Sequence, residues 1–215
     1  MSRYDAPSGD QSEFEPGSDE TVLKNLLGIT DLQTMEQAEF DALLRTQAAY
    51  LDQLTEKTPI TSKLIRQMHK EWLGGIYAWA GEYRTVEMSK GGFQWPPAYR
   101  VEPNMVLFEN GLLREYTPCR AGDLDSVALQ VAQVHAEFLF IHPFREGNGR
   151  LARWIAEVIA MQAGFGTPQY PFWGDQTVEA RHNYVNAVKR GYVEDFGPLA
   201  EFFRTAIVLR ESGEE

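Results

Sequence analysis

The sequence contains one cysteine, Cys119, in 215 residues, so no internal disulfide can brace it and a reducing setting suits it. No run approaches the roughly 18 apolar residues of a membrane span. No apolar stretch follows Met1-Ser2-Arg3-Tyr4-Asp5, so neither a membrane partner nor a secretory signal is expected. Positive charge is scarce: 20 Lys and Arg face 31 Asp and Glu, a net charge of −11. That field opposes a phosphate backbone, which argues against nucleic acid as partner and for a protein or a small ligand in a local positive pocket. A Gly-x-x-x-x-Gly-Lys-Ser/Thr loop is missing, as is any His/Cys cluster at zinc spacing, and Cys119 reads as an incidental thiol in a loop. There is no internal repeat.

What remains is a chain with 43% hydrophobic residues, enough for one substantial core. Residues 1–20, rich in Ser, Gly, Asp, Glu and Pro, read as a loose or surface-hugging tail, a flexible lead-in to one domain over 21–210. A short helical turn is expected from Thr21 to Leu27. A longer helix is then capped by Asp31 or Thr34, and a third carries Leu64, Ile65, Met68, Trp72 and Ile76 at three- and four-residue steps. Tyr83 to Ser89 alternates as a strand does, Lys90-Gly91-Gly92 turns the chain, and Phe93-Gln94-Trp95 returns before Pro96-Pro97. This predicts a hairpin within about 84–97. Helices follow over 102–116, from Gly122-Asp123 to Ile141, from the loop after it to a Gly164 stop, over Thr177–Arg190 and over Pro198–Arg210. The fold class is mainly α, a helical bundle with a short β-hairpin.

The chemistry concentrates in His142-Pro143-Phe144-Arg145-Glu146-Gly147-Asn148-Gly149-Arg150-Leu151-Ala152-Arg153. Gly147 and Gly149 allow unusual backbone angles and close approach to a ligand. A helix N-terminus beside them attracts anions through unpaired N–H groups and the macrodipole. Arg150 and Arg153, three residues apart, can grip the same anion with planar forks. Glu146 adds negative charge where phosphates belong, which makes sense with a cation between them, and a carboxylate plus phosphate oxygens plus waters is the usual way Mg²⁺ is held. His142, at the end of the preceding helix, can serve as general base. Phe144 is expected as a buried anchor and Arg145 as solvent-facing, with His69, His135, His182 and Glu137 structural.

These twelve residues resemble the full Fic-domain motif, His-Pro-Phe-x-Asp/Glu-Gly-Asn-Gly-Arg-x-x-Arg, with no departure. Trp79-Ala80-Gly81-Glu82-Tyr83-Arg84-Thr85 and the Ser89-Lys90-Gly91-Gly92-Phe93 turn are similar to the family's flap region. Val22 to Asp31 is similar, less specifically, to its lead-in segment. The resemblance implies transfer of AMP from ATP to a Ser, Thr or Tyr hydroxyl of a target protein. It implies that His142 deprotonates the hydroxyl and Glu146 holds Mg²⁺. Gly147, Asn148 and Gly149 would line the anion hole, with Arg150 and Arg153 on the phosphates. The hairpin would dock the target by strand addition. Gly149 stands where phosphorylating Doc-like relatives carry Lys. Donors such as UMP, GMP, phosphocholine or phosphate, or a binding module without turnover, are the alternatives. Many relatives carry an inhibitory Ser/Thr-x-x-x-Glu-Gly/Asn helix; here no Ser or Thr is followed by Glu four residues later. Within the resemblance, either a separate antitoxin supplies that Glu to Arg153, which is the favoured reading, or the enzyme is unrestrained; the expected setting is a bacterial cytoplasm or a host after delivery.

Overall fold

The computed structural model describes residues 10–172 and 177–207. The described residues divide into two compact units, one within 10–53, 61–107 and 141–148, the other within 54–60, 108–140, 149–172 and 177–207.

In the first unit, α1 (Leu32–Tyr50) starts at Asp31, whose Oδ1 accepts the Thr34 N–H at 2.8 Å, and α2 (Ser62–Leu73) starts at Thr61, whose hydroxyl accepts the Leu64 N–H at 3.1 Å. Both are side-chain caps of orphan helix donors, as the sequence pattern predicts for α1. The two helices pack on each other; Met35 and Leu43 of α1 and Ile65, Met68 and Trp72 of α2 are buried, and the Trp72 indole N–H donates to the Glu39 carbonyl at 2.8 Å. The hairpin is shorter than its alternation predicts. Only β1 (Ser89–Lys90) and β2 (Phe93–Gln94) pair, with Ser89 opposite Gln94 and Lys90 opposite Phe93. Gly91 and Gly92 at φ +56° and +81° form the two-residue turn that such a hairpin requires. Residues 84 and 85 spend their main-chain donors elsewhere: the Thr85 N–H goes to Gln11 Oε1 at 3.0 Å and the Arg84 N–H to the Pro143 carbonyl at 2.8 Å.

That pairing corrects the expectation of a flexible tail for residues 10–20. Asp10–Ser12 is a 3-10 turn, Gln11 is buried, Phe14 bridges Leu23, and the Glu15 N–H donates to the Val22 carbonyl at 2.9 Å. Residues 1–9 lie outside the described residues. The expected helical turn at 21–27 is also absent, because the Asn25 side chain captures the local donors, Oδ1 accepting from Leu27 and Ile29.

α3 (Ala98–Phe108) begins four residues before its expected start and runs into a π-helical turn, Glu109–Leu113, and the short α4 (Arg114–Tyr116). In the second unit, α5 (Leu124–Ile141) opens at Asp123, whose carboxylate accepts the Ser126 N–H at 2.8 Å. It buries Val127, Val131, Val134 and Phe138. α6 (Asn148–Gln162) buries Leu151, Ile155, Val158 and Ile159 and stops at Gly164, φ +85°. α7 (Thr177–Gly191) and α8 (Gly197–Ala206) pack on each other, and the stretch 208–210 expected in α8 lies outside the described residues. Cys119 is buried as a free thiol, its N–H bound to Gln162. Among the described residues, no helix is long and apolar enough to cross a membrane.

Candidate active site

The motif loop is built by helix termination followed at once by helix initiation. α5 ends at Ile141, and His142 takes φ +51°, the left-handed conformation that usually falls to glycine after a helix. Held there by a β-carbon residue, it costs about 1–2 kcal/mol, a strain that persists only where surrounding contacts over-determine it. Those contacts are visible. The His142 carbonyl accepts the Arg84 Nε–H at 2.7 Å, and its ring lies against Trp95, centroids 4.1 Å apart and planes 30° from parallel. His142 is only 4% exposed.

Phe144 is fully buried, as expected, and stacks on His69 at 3.9 Å. His69 has a definite tautomer. Its Nδ1 accepts the Gly81 N–H at 2.8 Å, so Nε2 carries the proton and donates to the Glu146 carbonyl at 3.1 Å. The ring thus ties the approach to the hairpin to the motif backbone, a structural role as the sequence suggested. The expectation for Arg145 fails. It is 1% exposed, because its Nε–H reaches the Gln11 carbonyl at 2.8 Å in the N-terminal segment.

Glu146 is buried, with Oε1 accepting the Gly147 N–H at 2.9 Å. Gly147 has φ +85°, and a Cβ there would meet the Trp72 ring at 2.8 Å, so the close approach of backbone to indole demands glycine. The Asn148 amide is spent on the loop itself: Oδ1 accepts the Phe144 N–H at 2.9 Å and Nδ2 donates to the Phe144 carbonyl at 2.6 Å. The Asn148 side chain is thus committed within the loop at the start of α6. The expected flap residues form the hairpin turn, with Lys90, Gly91 and Gly92 exposed and Ser89 and Phe93 half-buried. Behind them Val86, Met88 and Trp95 make a small core with Phe93 packed on it.

In the second unit, Gly149, Arg150 and Arg153 lie on the first turns of α6. The Arg153 guanidinium sits over the rings of Tyr170 at 5.9 Å and Phe172 at 5.8 Å, and Tyr170 donates to the Arg153 carbonyl at 3.3 Å. Next to it His135 bonds the Ala152 carbonyl through Nδ1 at 3.2 Å and Tyr184 through Nε2 at 2.7 Å. A carbonyl only accepts, so the proton is on Nδ1 and the Tyr184 hydroxyl donates to Nε2. Burial first, then the Arg153 charge, lower the His135 pKa to about 3, with the Ala152 carbonyl opposing; the ring is neutral at physiological pH. Glu157, one turn beyond Arg153, is pushed up to about 7 by burial, against the Arg153 charge. His182, also expected as structural, is exposed on α7.

Among the described residues, no group of three or more His, Cys, Asp or Glu side chains is placed to hold a metal ion. The motif offers one carboxylate, Glu146. A cation there would take most of its oxygens from bound phosphates and water, a donor set that fits Mg²⁺.

The residues that sequence reasoning missed are Arg84, Trp95 and Gln11. One signal was available. Arg84, Val86 and Met88 share a face of the alternating stretch, and all three are buried while Thr85 is exposed and Glu87 half-buried.

The elements define a mainly α class of protein, in which a glycine-containing loop leads into a helix and a short hairpin lies against the loop's histidine. Residues 59–160 match the family model described as the Fic/DOC family. The chain is 28% identical over 191 residues to the probable protein adenylyltransferase y4lH of Sinorhizobium fredii, covering 86% of this chain and 91% of that one. It is also 28% identical over 170 residues to the protein adenylyltransferase VbhT of Bartonella schoenbuchensis, covering 77% of this chain. It spans only 33% of VbhT. A solved structure of BepC, a VirB-translocated effector of Bartonella tribocorum with bound AMPPNP, shares the fold with TM-score 0.71 at 18% identity, covering 94% of this chain and 99% of that one.

Proposed function

We propose that the chain transfers AMP from ATP to a hydroxyl of a protein target. The observation that carries this reading is the stack of His142 on Trp95. It holds a general base beside the one hairpin among the described residues, the element suited to registering an extended target segment by main-chain pairing. His142 takes the proton of a Ser, Thr or Tyr hydroxyl whose oxygen attacks the α-phosphorus of ATP. The new P–O bond forms as the bond to the pyrophosphate oxygen breaks, and pyrophosphate leaves with the displaced charge. Main-chain N–H groups from Gly147 to Gly149 and the Arg150 guanidinium stabilise that charge, and Arg153 holds the terminal phosphate. Glu146 would hold Mg²⁺, which supplies charge neutralisation between phosphates when bound. The relatives named as adenylyltransferases and the AMPPNP seen in BepC support the nucleotide.

Regulation by a separate antitoxin donating a glutamate to Arg153 belongs to the same proposal, as does work in a bacterial cytoplasm or a host cell. The test is to incubate the purified chain with ATP, Mg²⁺ and a cell extract and to read the adduct mass on labelled proteins. An AMP adduct lost in His142→Ala is the expected result. A different adduct mass would replace the donor, no labelling at all would favour a binding module, and labelling by His142→Ala would refute the role of the base.

A further inference from the structure

A single buried guanidinium joins the hairpin to the motif loop. Arg84 is 2% exposed, and it donates in four directions, each time to a main-chain carbonyl. Nε–H reaches the His142 oxygen at 2.7 Å and Nη1 the Val86 oxygen at 2.9 Å. Nη2 reaches the Pro96 oxygen at 2.5 Å and the Ile141 oxygen at 3.4 Å. The Arg84 backbone N–H adds a bond to the Pro143 carbonyl at 2.8 Å. Val86 precedes the first arm of the hairpin and Pro96 follows the second. Ile141 and His142 close α5, where carbonyls lack helical partners and the macrodipole is negative. Burial pulls the guanidinium down to about 10, with Glu87 opposing, so it stays charged at neutral pH and meets the helix end as a cation.

We propose that Arg84 is the positioning residue of the site: by holding both hairpin arms and the end of α5 in one planar fork, it fixes the hairpin against His142 and so sets the orientation of the base. The proposal rests on the adenylyl-transfer reading for its kinetic consequence and on geometry alone for its structural one. Pro96 is pinned by Nη2, its neighbour Trp95 donates its N–H to the Met88 carbonyl at 3.1 Å, and the Trp95 ring is thereby presented to His142. No flexible point charge can reproduce this, since a lysine has one nitrogen where the four carbonyls need a fork.

The variant is Arg84→Lys, read by nuclear magnetic resonance of labelled histidine, with His142→Ala used only to assign the His142 signals. The expected result is a downfield move of the His142 ring protons as they leave the shielding face of Trp95. In the labelling assay kcat falls at least about tenfold while the KM for ATP changes less than about threefold, the split of a displaced base rather than a damaged nucleotide site. His142 signals at their original positions would overturn the proposal, as would a KM rise matching the fall in kcat/KM. Hydrogen exchange on the unaltered protein decides independently of whether the lysine variant folds. The amides of Arg84 and Trp95 should open as one unit with one free energy, and separate opening would overturn the clamp. If the unaltered chain never labels a target with ATP, the transfer reading falls, while the resonance and exchange results still judge Arg84.

Discussion

Gly147→Ala isolates the tightest contact of the motif. The residue sits at φ +85°, and a methyl group there would lie 2.8 and 2.9 Å from two carbons of the Trp72 ring and 3.4 Å from Leu73 Cδ1. The left-handed backbone alone costs an L-residue about 1–2 kcal/mol. Overpacking against a ring that cannot withdraw adds about 1–3 kcal/mol. Trp72 is held in place by burial and by its indole bond to the Glu39 carbonyl at 2.8 Å, so the loop rather than the ring must yield. The sum is a loss of about 2–5 kcal/mol from a domain whose total is about 5–15 kcal/mol. Urea titration should show a lower midpoint at unchanged slope. A double-mutant cycle with Trp72→Phe, which removes the offending ring atoms, should return a coupling of about 1–3 kcal/mol. A loss below about 1 kcal/mol, or no coupling to position 72, would refute the packing argument. Because the Gly147 N–H also holds Glu146 Oε1, a displaced loop should weaken nucleotide binding in the same variant.

Two further substitutions test the second unit. Glu157 has its folded pKa raised to about 7, so its contribution to stability is complete below the unfolded value of 4.5 and is lost as pH rises through 7. Glu157→Gln should therefore gain up to about 3 kcal/mol at pH 8 and nothing near pH 4, and a gain independent of pH in thermal melts would refute it. Helical Gly→Ala changes ordinarily stabilise by about 1 kcal/mol, yet Gly191→Ala should destabilise by more than that. Its Cβ would sit 2.6 Å from the Ala136 Cβ, and Ala136→Gly should restore the loss in melting temperature.

The acid side of the stability curve belongs to another group. His135 has a folded pKa depressed to about 3, so its contribution is present above the usual histidine value of 6.5 and is lost as pH falls toward 3. Between 4.5 and 6.5 this loss and the Glu157 gain oppose each other, which flattens the curve there. Both groups border Arg153, so the environment of the second motif arginine is set by neutral partners at mildly acid pH and becomes anionic only near neutrality.

Helices and motif were legible because their signals are local. Asp31 capping α1, Gly164 stopping α6 and Pro143 ending α5 act within a few residues, and apolar spacing marks the buried faces of α2, α5 and α6. The placement of the N-terminal segment is not legible, for the opposite reason. Its composition is that of a tail, but Gln11 finds its partners at Thr85 and Arg145, 74 and 134 residues away, and no local pattern announces such a bond. The burial of Arg145 is hidden in the same way, since an arginine in a glycine-containing loop is exposed by default unless a distant carbonyl waits for it.

The strain at His142 shows what those distant bonds do. Left to local preference, a residue following α5 and preceding proline would be glycine in the left-handed region or would stay extended. The histidine stays at φ +51° because its carbonyl is held by Arg84, the next carbonyl by the Arg84 N–H, and its ring by Trp95. Each of these contacts comes from the hairpin or its approach. The hairpin proposed to dock a target is therefore also the element that keeps the proposed base, His142, in its strained pose. Anything that shifts the base of the hairpin must act on His142, whereas the exposed turn at Gly91 and Gly92 can adapt without disturbing it.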